Sequence, residues 1–275
     1  MDKYICPKCR KRLTEDNVIM CVCPSCHSIF DRPDIGGGTV WKALQAGMKS
    51  GHSEHIWQRG SWHEIDGEKS NEKDFSASGR VVDAMQDVPM EILAQVEVDG
   101  EHFVRKGGKE YWQKIQVVNA WKWEKKRSVA LAILAAEMVV QNYEKKYPKG
   151  DLAHKTIEAA KKWLENPIEE NRLTANAAGS DAWAAAELAA KLTSVATVRS
   201  VWSVIEKSAE LAIRSAAQAA WSAAELGSLS AKSAAEAVAL SAKSAEWVAE
   251  SAAGTILQKC EDWIMQHVAG LEEIK

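Results

Sequence analysis

Read from the N-terminus, the apolar positions of this chain change rhythm three times. Residues 1–34 carry only short apolar runs, Val18 to Val22 and Ile29-Phe30, which suit strands beside tight turns. Ile35-Gly36-Gly37-Gly38-Thr39 reads as a flexible linker. Residues 40–49 predict one short helix. Residues 50–80 are rich in Gly, His, Ser and Glu and show no period, which predicts a long polar loop. Between 81 and 118 the pattern predicts strands. Ile92 to Val98 and Glu101 to Arg105 flank Asp99-Gly100, and Asp-Gly between two apolar runs predicts a two-residue hairpin, because a type I′ turn needs positive φ at both central positions. Ile115 to Val118 predicts a further strand.

From about Trp123 the period becomes helical. Residues 128–140 are apolar on nearly all sides (Val129, Leu131, Ile133, Leu134, Met138, Val140), so this helix is expected at the centre of a bundle. Tyr147-Pro148-Lys149-Gly150 ends it, and Asp151 is placed to cap the next. Asn166-Pro167-Ile168-Glu169 has the residue types of another helix start. Beyond residue 175 Ala dominates, which favours helix because Ala loses no side-chain entropy there. Ser230-Ala-Lys-Ser-Ala234 recurs eleven residues on as Ser241-Ala-Lys-Ser-Ala245, and Ser208 and Ala219 extend the frame backwards; eleven residues is three helical turns, so small side chains stay on one face. Trp183-Ala-Ala-Ala-Glu187-Leu188 is echoed by Trp221-Ser-Ala-Ala-Glu225-Leu226. Gly179, Gly227 and Gly254 are the expected breaks. The expected architecture is mainly α, an Ala-rich helical bundle or stacked helical hairpins over 123–275, with a cysteine-rich N-terminal module at 1–34, a linker and polar loop at 35–80, and a small strand-containing segment at 81–122.

Composition adds little to the fold but narrows the function. The chain has 275 residues and a formal charge of −3, a balance that argues against a surface coated with basic charge for bulk nucleic-acid binding. No apolar run approaches the ~18 residues of a membrane span, and Met1-Asp2-Lys3-Tyr4 lacks the apolar core of a signal peptide. Five of the six cysteines lie within the first 26 residues, in CxxC units that suit a metal in a reducing compartment, so a cytoplasmic location is expected.

Cys6-Pro7-Lys8-Cys9 and Cys23-Pro24-Ser25-Cys26 are two copies of C-P-x-C. Zn²⁺ prefers four soft ligands in a tetrahedron, and two CxxC turns supply them from two hairpin tips. The pair resembles the zinc-ribbon family over residues 4–31, although Arg10 and His27 stand where such ribbons commonly place Gly. Cys21 competes with Cys23 as a ligand, and His27 with Cys26; the repeat of C-P-x-C favours Cys6, Cys9, Cys23 and Cys26. Four cysteines leave no open position, so one structural Zn²⁺ is expected. Lys8, Arg10, Lys11 and Arg12 crowd the module and are candidate contacts for phosphate or a partner; the plainer reading is a soluble surface on a module with little core.

Other constellations carry less. His52, Glu54, His55, His63 and Glu64 lack the spacing of helical zinc hydrolases and read as a solvated stretch. The tryptophans at 163, 183, 202, 221, 247 and 263 read mostly as core, with one or two at an interface. Trp121-Lys122-Trp123 followed by Lys125-Lys126-Arg127 reads as a strand-to-helix junction. Cys260 and His267 share a helical face without an orienting third group. No Walker, G-x-S-x-G or dinucleotide signature occurs, so the expectation is a non-enzyme.

Arg127-Ser-Val-Ala-Leu-Ala-Ile-Leu-Ala-Ala-Glu137, Tyr143-Glu-Lys-Lys-Tyr147-Pro148, Thr156 through Pro167, Glu169-Glu170-Asn171-Arg172 and the Ala-rich continuation resemble an immunity-protein-like family of alanine-rich helical proteins from bacteria and, often, phages. The resemblance covers residues 127 to 190 or so. It implies a helical fold, a phage setting and a protein that neutralises another macromolecule by binding, such as a CRISPR effector or a toxin nuclease. Two alternatives stay open: a nucleic-acid-binding accessory factor that reads through the basic ribbon, and a sponge for a nucleotide signal. An oligomer is compatible with all three, and no membrane partner is expected.

Overall fold

The computed structural model describes residues 40–65, 75–87, 89–104, 110–195, 201–225, 229–247 and 250–274. Strand β1 (Val40–Leu44) is followed by a 3₁₀ turn (Ala46–Met48), β2 (Trp62–Glu64), helix α1 (Val81–Asp87), β3 (Ile92–Val104) and β4 (Glu110–Lys122). Six longer helices follow: α2 (Lys125–Lys146), α3 (Leu152–Glu165), α4 (Glu169–Val195), α5 (Val201–Ala224), α6 (Leu229–Glu246) and α7 (Glu250–Val268). The described part is therefore mainly helical with one antiparallel sheet, in the order β1-β3-β4-β2.

The sheet has a core on each face. Along β1, Trp41 and Ala43 point to the helices, where they meet Val81, Val82 and Met85 of α1 and Leu93 of β3. Val40 and Leu44 point the other way, onto Ile92, Ala94, Val96, Ile115, Val117 and Ala120. Trp57 and Phe75 close that second face, both 1% exposed. Two expectations give way here. Residues 40–49 are strand-led rather than helical, and the polar stretch after residue 50 supplies three core residues, Trp57, Phe75 and Ala77, and a strand. Its apolar residues are few and irregularly spaced, so no period announces them.

Asp99-Gly100 is not the hairpin turn. β3 runs on to Val104, and the register against β4 shifts between Asp99 and His102. Gly100 has φ +80°, and a Cβ there would overlap the side chain of Gln113 on β4. The glycine signal marks a bulge inside the strand, where one extra residue also requires positive φ. The Ile115–Val118 prediction falls within β4.

The outer edge of β4 is covered piecewise. β2 pairs with Lys114 to Gln116, and the C-terminal tail bridges Trp121 through Glu273. Arg59 staples the two: Nε donates to the Val118 carbonyl (2.7 Å), Nη2 to Asn119 Oδ1 (2.8 Å), and Nη1 reaches the Glu273 carboxylate (2.7 Å).

Helix α2 is central, as its all-round apolar pattern predicts. It buries Val129, Leu131, Ile133, Val139 and Tyr143, and packs against α3, α5, α6 and α7. α5 and α6 run antiparallel along a seam of small residues. Ser208, Ser215 and Ser222 face Ser244, Ala237 and Ser230 in turn, a seven-residue step on each helix. The hydroxyls exchange bonds with carbonyls across the seam: Ser208 Oγ donates to the Ser244 carbonyl and Ser244 Oγ to the Ser208 carbonyl, each at 2.8 Å. Buried hydroxyls cost free energy unless paired, and here the opposing backbone pairs them. The eleven-residue echo does keep Ser230 and Ser241 buried together, yet the pairing between helices follows seven.

Asp151 stands at the N-cap of α3, but its carboxylate meets Lys155 (2.8 Å) and caps no backbone N–H. Of the expected glycine breaks, Gly179 lies inside α4 and Gly254 inside α7; Gly227 lies outside the described residues. Gly179 makes room for Trp221. A Cβ there would meet Trp221 Cδ1 at 2.7 Å and the Ala217 carbonyl at 3.2 Å, while Trp183 packs on Trp221 at 5.2 Å between ring centres. Gly179→Ala gains about 1 kcal/mol of helix propensity against about 1–3 kcal/mol of overpacking. Because neither the indole nor the α5 backbone can step back freely, a net loss near 1 kcal/mol is expected, read as a melting temperature lower by about 2–4 °C. A rise would show that Trp221 swings aside.

Candidate functional site

Cys6, Cys9, Cys23 and Cys26, the competing Cys21 and His27, and the basic residues Lys8, Arg10, Lys11 and Arg12 all lie outside the described residues. Among the described residues, no three His, Cys, Asp or Glu side chains come together as a metal site. Of His52, Glu54, His55, His63 and Glu64, which the sequence reads as a solvated stretch, three lie apart from the rest. Glu54 pairs with Lys49 (2.7 Å). Glu64 pairs with Lys114 (3.3 Å) on the opposite side of β2 from His63. His52 takes a backbone bond to Ser50 Oγ (3.4 Å).

His55 and His63 do meet, with Nε2 and Nδ1 3.1 Å apart. That spacing suits two ligands on one metal as well as a hydrogen bond, and the backbone decides between them. The N–H of Gln58 donates to His63 Nε2 (3.2 Å), so that nitrogen carries no proton. In the neutral ring the proton then sits on Nδ1 and is donated to His55 Nε2. Coordination through Nδ1 would place a second N–H at Nε2, pointing at the Gln58 N–H. The contact between the two rings, with the Gln58 N–H behind it, ties the turn before β2. Trp57 packs against both rings, at 4.7 and 4.9 Å between centres, and against Phe75 at 5.4 Å. Beneath it Lys42 is only 4% exposed; its Nζ donates to the Ser76 carbonyl (2.8 Å) and lies 4.9 Å from the Trp57 ring centre.

Burial, and then the neighbouring His55, hold the His63 pKa below the usual histidine range. The sign of the linkage follows. As pH falls below about 6.5, the unfolded chain takes up a proton at this site before the folded chain does. Stability is therefore lost between that pH and the lower folded value, and below both this group adds nothing further. Urea midpoints from pH 7.5 to 5 are expected to fall more steeply for the natural chain than for His63→Gln; equal slopes would remove His63 from the account.

Elsewhere, chemistry-bearing groups serve the fold. The Cys260 thiol is buried in α7, and burial followed by the Glu261 charge pushes its pKa up to about 12, so it stays protonated. His267 stacks on Trp263 at 3.9 Å and bonds its carbonyl (2.7 Å) rather than facing Cys260. Glu210, 4% exposed, is held by Lys207 (2.8 Å) and Arg214 (3.0 Å). At the C-terminus of α5, Lys125 Nζ donates to the Ala223 carbonyl (2.8 Å) and Arg172 to that of Ala224 (3.1 Å), which places cations at the negative end of the helix. Burial and Arg172 lower the Lys125 pKa, and Lys125 lies 4.2 Å over Trp163.

The tryptophans divide. Trp163 is buried, Trp183, Trp221 and Trp263 are partly buried, and Trp247 is exposed; the side chain of Trp202 lies outside the description. Trp123 is buried with its indole N–H on Ser128 Oγ (2.8 Å), at the junction where β4 hands over to α2. Trp62, which the pattern did not single out, is 49% exposed. It sits in one row with Gln116 and Glu97, on the sheet face away from Ile115 and Val117, and the next row sets Glu64 beside Lys114 and Asp99.

Comparison with protein-family models, with curated proteins and with solved structures finds no match.

Proposed function

We propose that this chain is a non-catalytic binding protein that acts by holding a macromolecular partner, and that the partner is a bacterial defence or toxin component of the nuclease or CRISPR-effector kind, met in a phage setting. The resemblance of residues 127 to 190 to immunity-protein-like helices supports the setting. The observation that carries the surface is Trp62. A tryptophan half open to solvent on a rigid sheet is the residue type that anchors protein interfaces. Its rows place Glu64, Glu97 and Asp99 beside a single base, Lys114, a balance that favours a protein over a nucleic acid there. The chain from the N-terminal module enters the sheet at Val40, opposite Val96. That is three strands from Trp62, about 14 Å at ordinary strand spacing.

In this reading one structural Zn²⁺ on Cys6, Cys9, Cys23 and Cys26 stiffens a second contact beside the first. A pull-down from host lysate is expected to recover one stoichiometric partner with the natural chain and several-fold less with Trp62→Ala. Recovery of none, or equal recovery by both, overturns the proposal. The nucleic-acid reading rests on Lys8, Arg10, Lys11 and Arg12. It predicts DNA or RNA binding at low salt that falls steeply as salt rises and vanishes when all four are replaced.

A further inference from the structure

α4 packs its inner side on α3 and α5. Its outer side is a stripe of Leu173, Ala177, Ser180, Ala184 and Leu188, all exposed, the two leucines by 52% and 61%. At 3.6 residues per turn these positions fall within about 80° of arc, one face of the helix. Single exposed leucines are ordinary. What distinguishes this face is that it reads the same in both directions.

Set two α4 helices antiparallel, with a two-fold axis between Ser180 and Asp181. Leu173 then falls opposite Leu188 of the second copy, Ala177 opposite Ala184, Ser180 opposite Asp181, and Thr174 opposite Glu187. Apolar meets apolar, hydroxyl meets carboxylate, and no like charges are opposed. A slip that moves the axis two residues towards the N-terminus sets Glu170 against Glu187 and Leu188 against Glu169, which penalises that alternative. A closed two-fold dimer requires this self-complementarity of its interface. The chain already uses such packing internally, where α5 and α6 run antiparallel on small residues.

We propose that the outer face of α4 is a homodimer interface, occupied by α4 of a second copy in the antiparallel register just given. It stands independently of the partner reading at Trp62. One helix pair lies at the low end of specific interfaces, which bury about 1,200 Å² or more, so the dimer forms reversibly with concentration.

Sedimentation equilibrium of the full chain, from about 1 to 200 μM, is expected to show a monomer–dimer equilibrium within that range. Ala184→Glu, on an exposed position that leaves the monomer core untouched, is expected to weaken it at least tenfold. Register is tested by mild oxidation of single variants, with the natural chain setting the background from its own cysteines. Ser180→Cys lies beside the axis and is expected to give a disulfide between two 180-containing peptides. Leu188→Cys is not, because the two copies of that position stand about 22 Å apart along the helices at 1.5 Å per residue. A natural chain that stays monomeric throughout, a dimer indifferent to Ala184→Glu, or Leu188→Cys linking as readily as Ser180→Cys would each overturn the proposal.

Discussion

Trp57→Ala is expected to cost about 3–5 kcal/mol, the range for deleting a buried aromatic side chain. That is about a fifth or more of the stability of an ordinary domain, about 5–15 kcal/mol. Trp57 is 1% exposed and fills the space bounded by His55, His63 and Phe75. Its loss opens a cavity that none of these neighbours can collapse into, because the two histidines are tied to each other and to Gln58. It also removes the ring beside the buried Lys42 ammonium. Trp57→Phe separates the effects. Among the described residues the Trp57 indole N–H meets no acceptor, so phenylalanine loses volume but no hydrogen bond. Its cost is expected to stay below about 1.5 kcal/mol. Urea midpoints of the three proteins check the order; a Trp57→Phe as damaging as Trp57→Ala would mean that the indole N–H is bonded after all.

The contrast between the two halves of the chain shows which signals sequence carries. The helices were legible because Ala and a 3.6 period act locally and repeat: α2 is central for the reason its pattern gives. Small-residue seams were half legible. Serine counts as polar in any hydropathy reading, so Ser208, Ser215 and Ser222 do not announce themselves as core, yet each is at most 1% exposed, paired with the facing helix. The sheet was least legible. Lys42 at an inward position breaks the apolar alternation of β1, and the Ser76 carbonyl and the Trp57 ring, far off in sequence, help make that burial affordable. Asp99-Gly100 reported its backbone conformation but not its use, since a hairpin and a bulge ask the same of glycine. At the candidate site, the histidines were visible and their pairing was not. It depends on the Gln58 N–H, and a backbone donor leaves no mark in sequence. Trp62 was missed because an exposed tryptophan on a three-residue strand has no pattern around it.

Zinc content is the property a single substitution should change most. Structural zinc sites in small peptides are worth about 10–16 kcal/mol at neutral pH, far more than a module of this size can draw from a core. If Cys6, Cys9, Cys23 and Cys26 form the tetrahedron, the purified chain carries one zinc, and serine at any of the four brings this well below half. Cys21→Ser and His27→Ala are expected to leave it unchanged. The converse result, zinc kept by Cys23→Ser and lost by Cys21→Ser, would move the ligand rather than abolish the site, because only Val22 separates the two cysteines in sequence. The helical circular-dichroism signal is expected to survive every one of these changes. The described members of the two cores flanking the sheet all lie from residue 40 onward. Elemental analysis and the dichroism spectrum of the same samples therefore separate loss of a ligand from loss of the fold. A natural chain with less than half a zinc, unchanged by added zinc, would remove the ribbon from the proposed contact surface and leave Trp62 as its anchor.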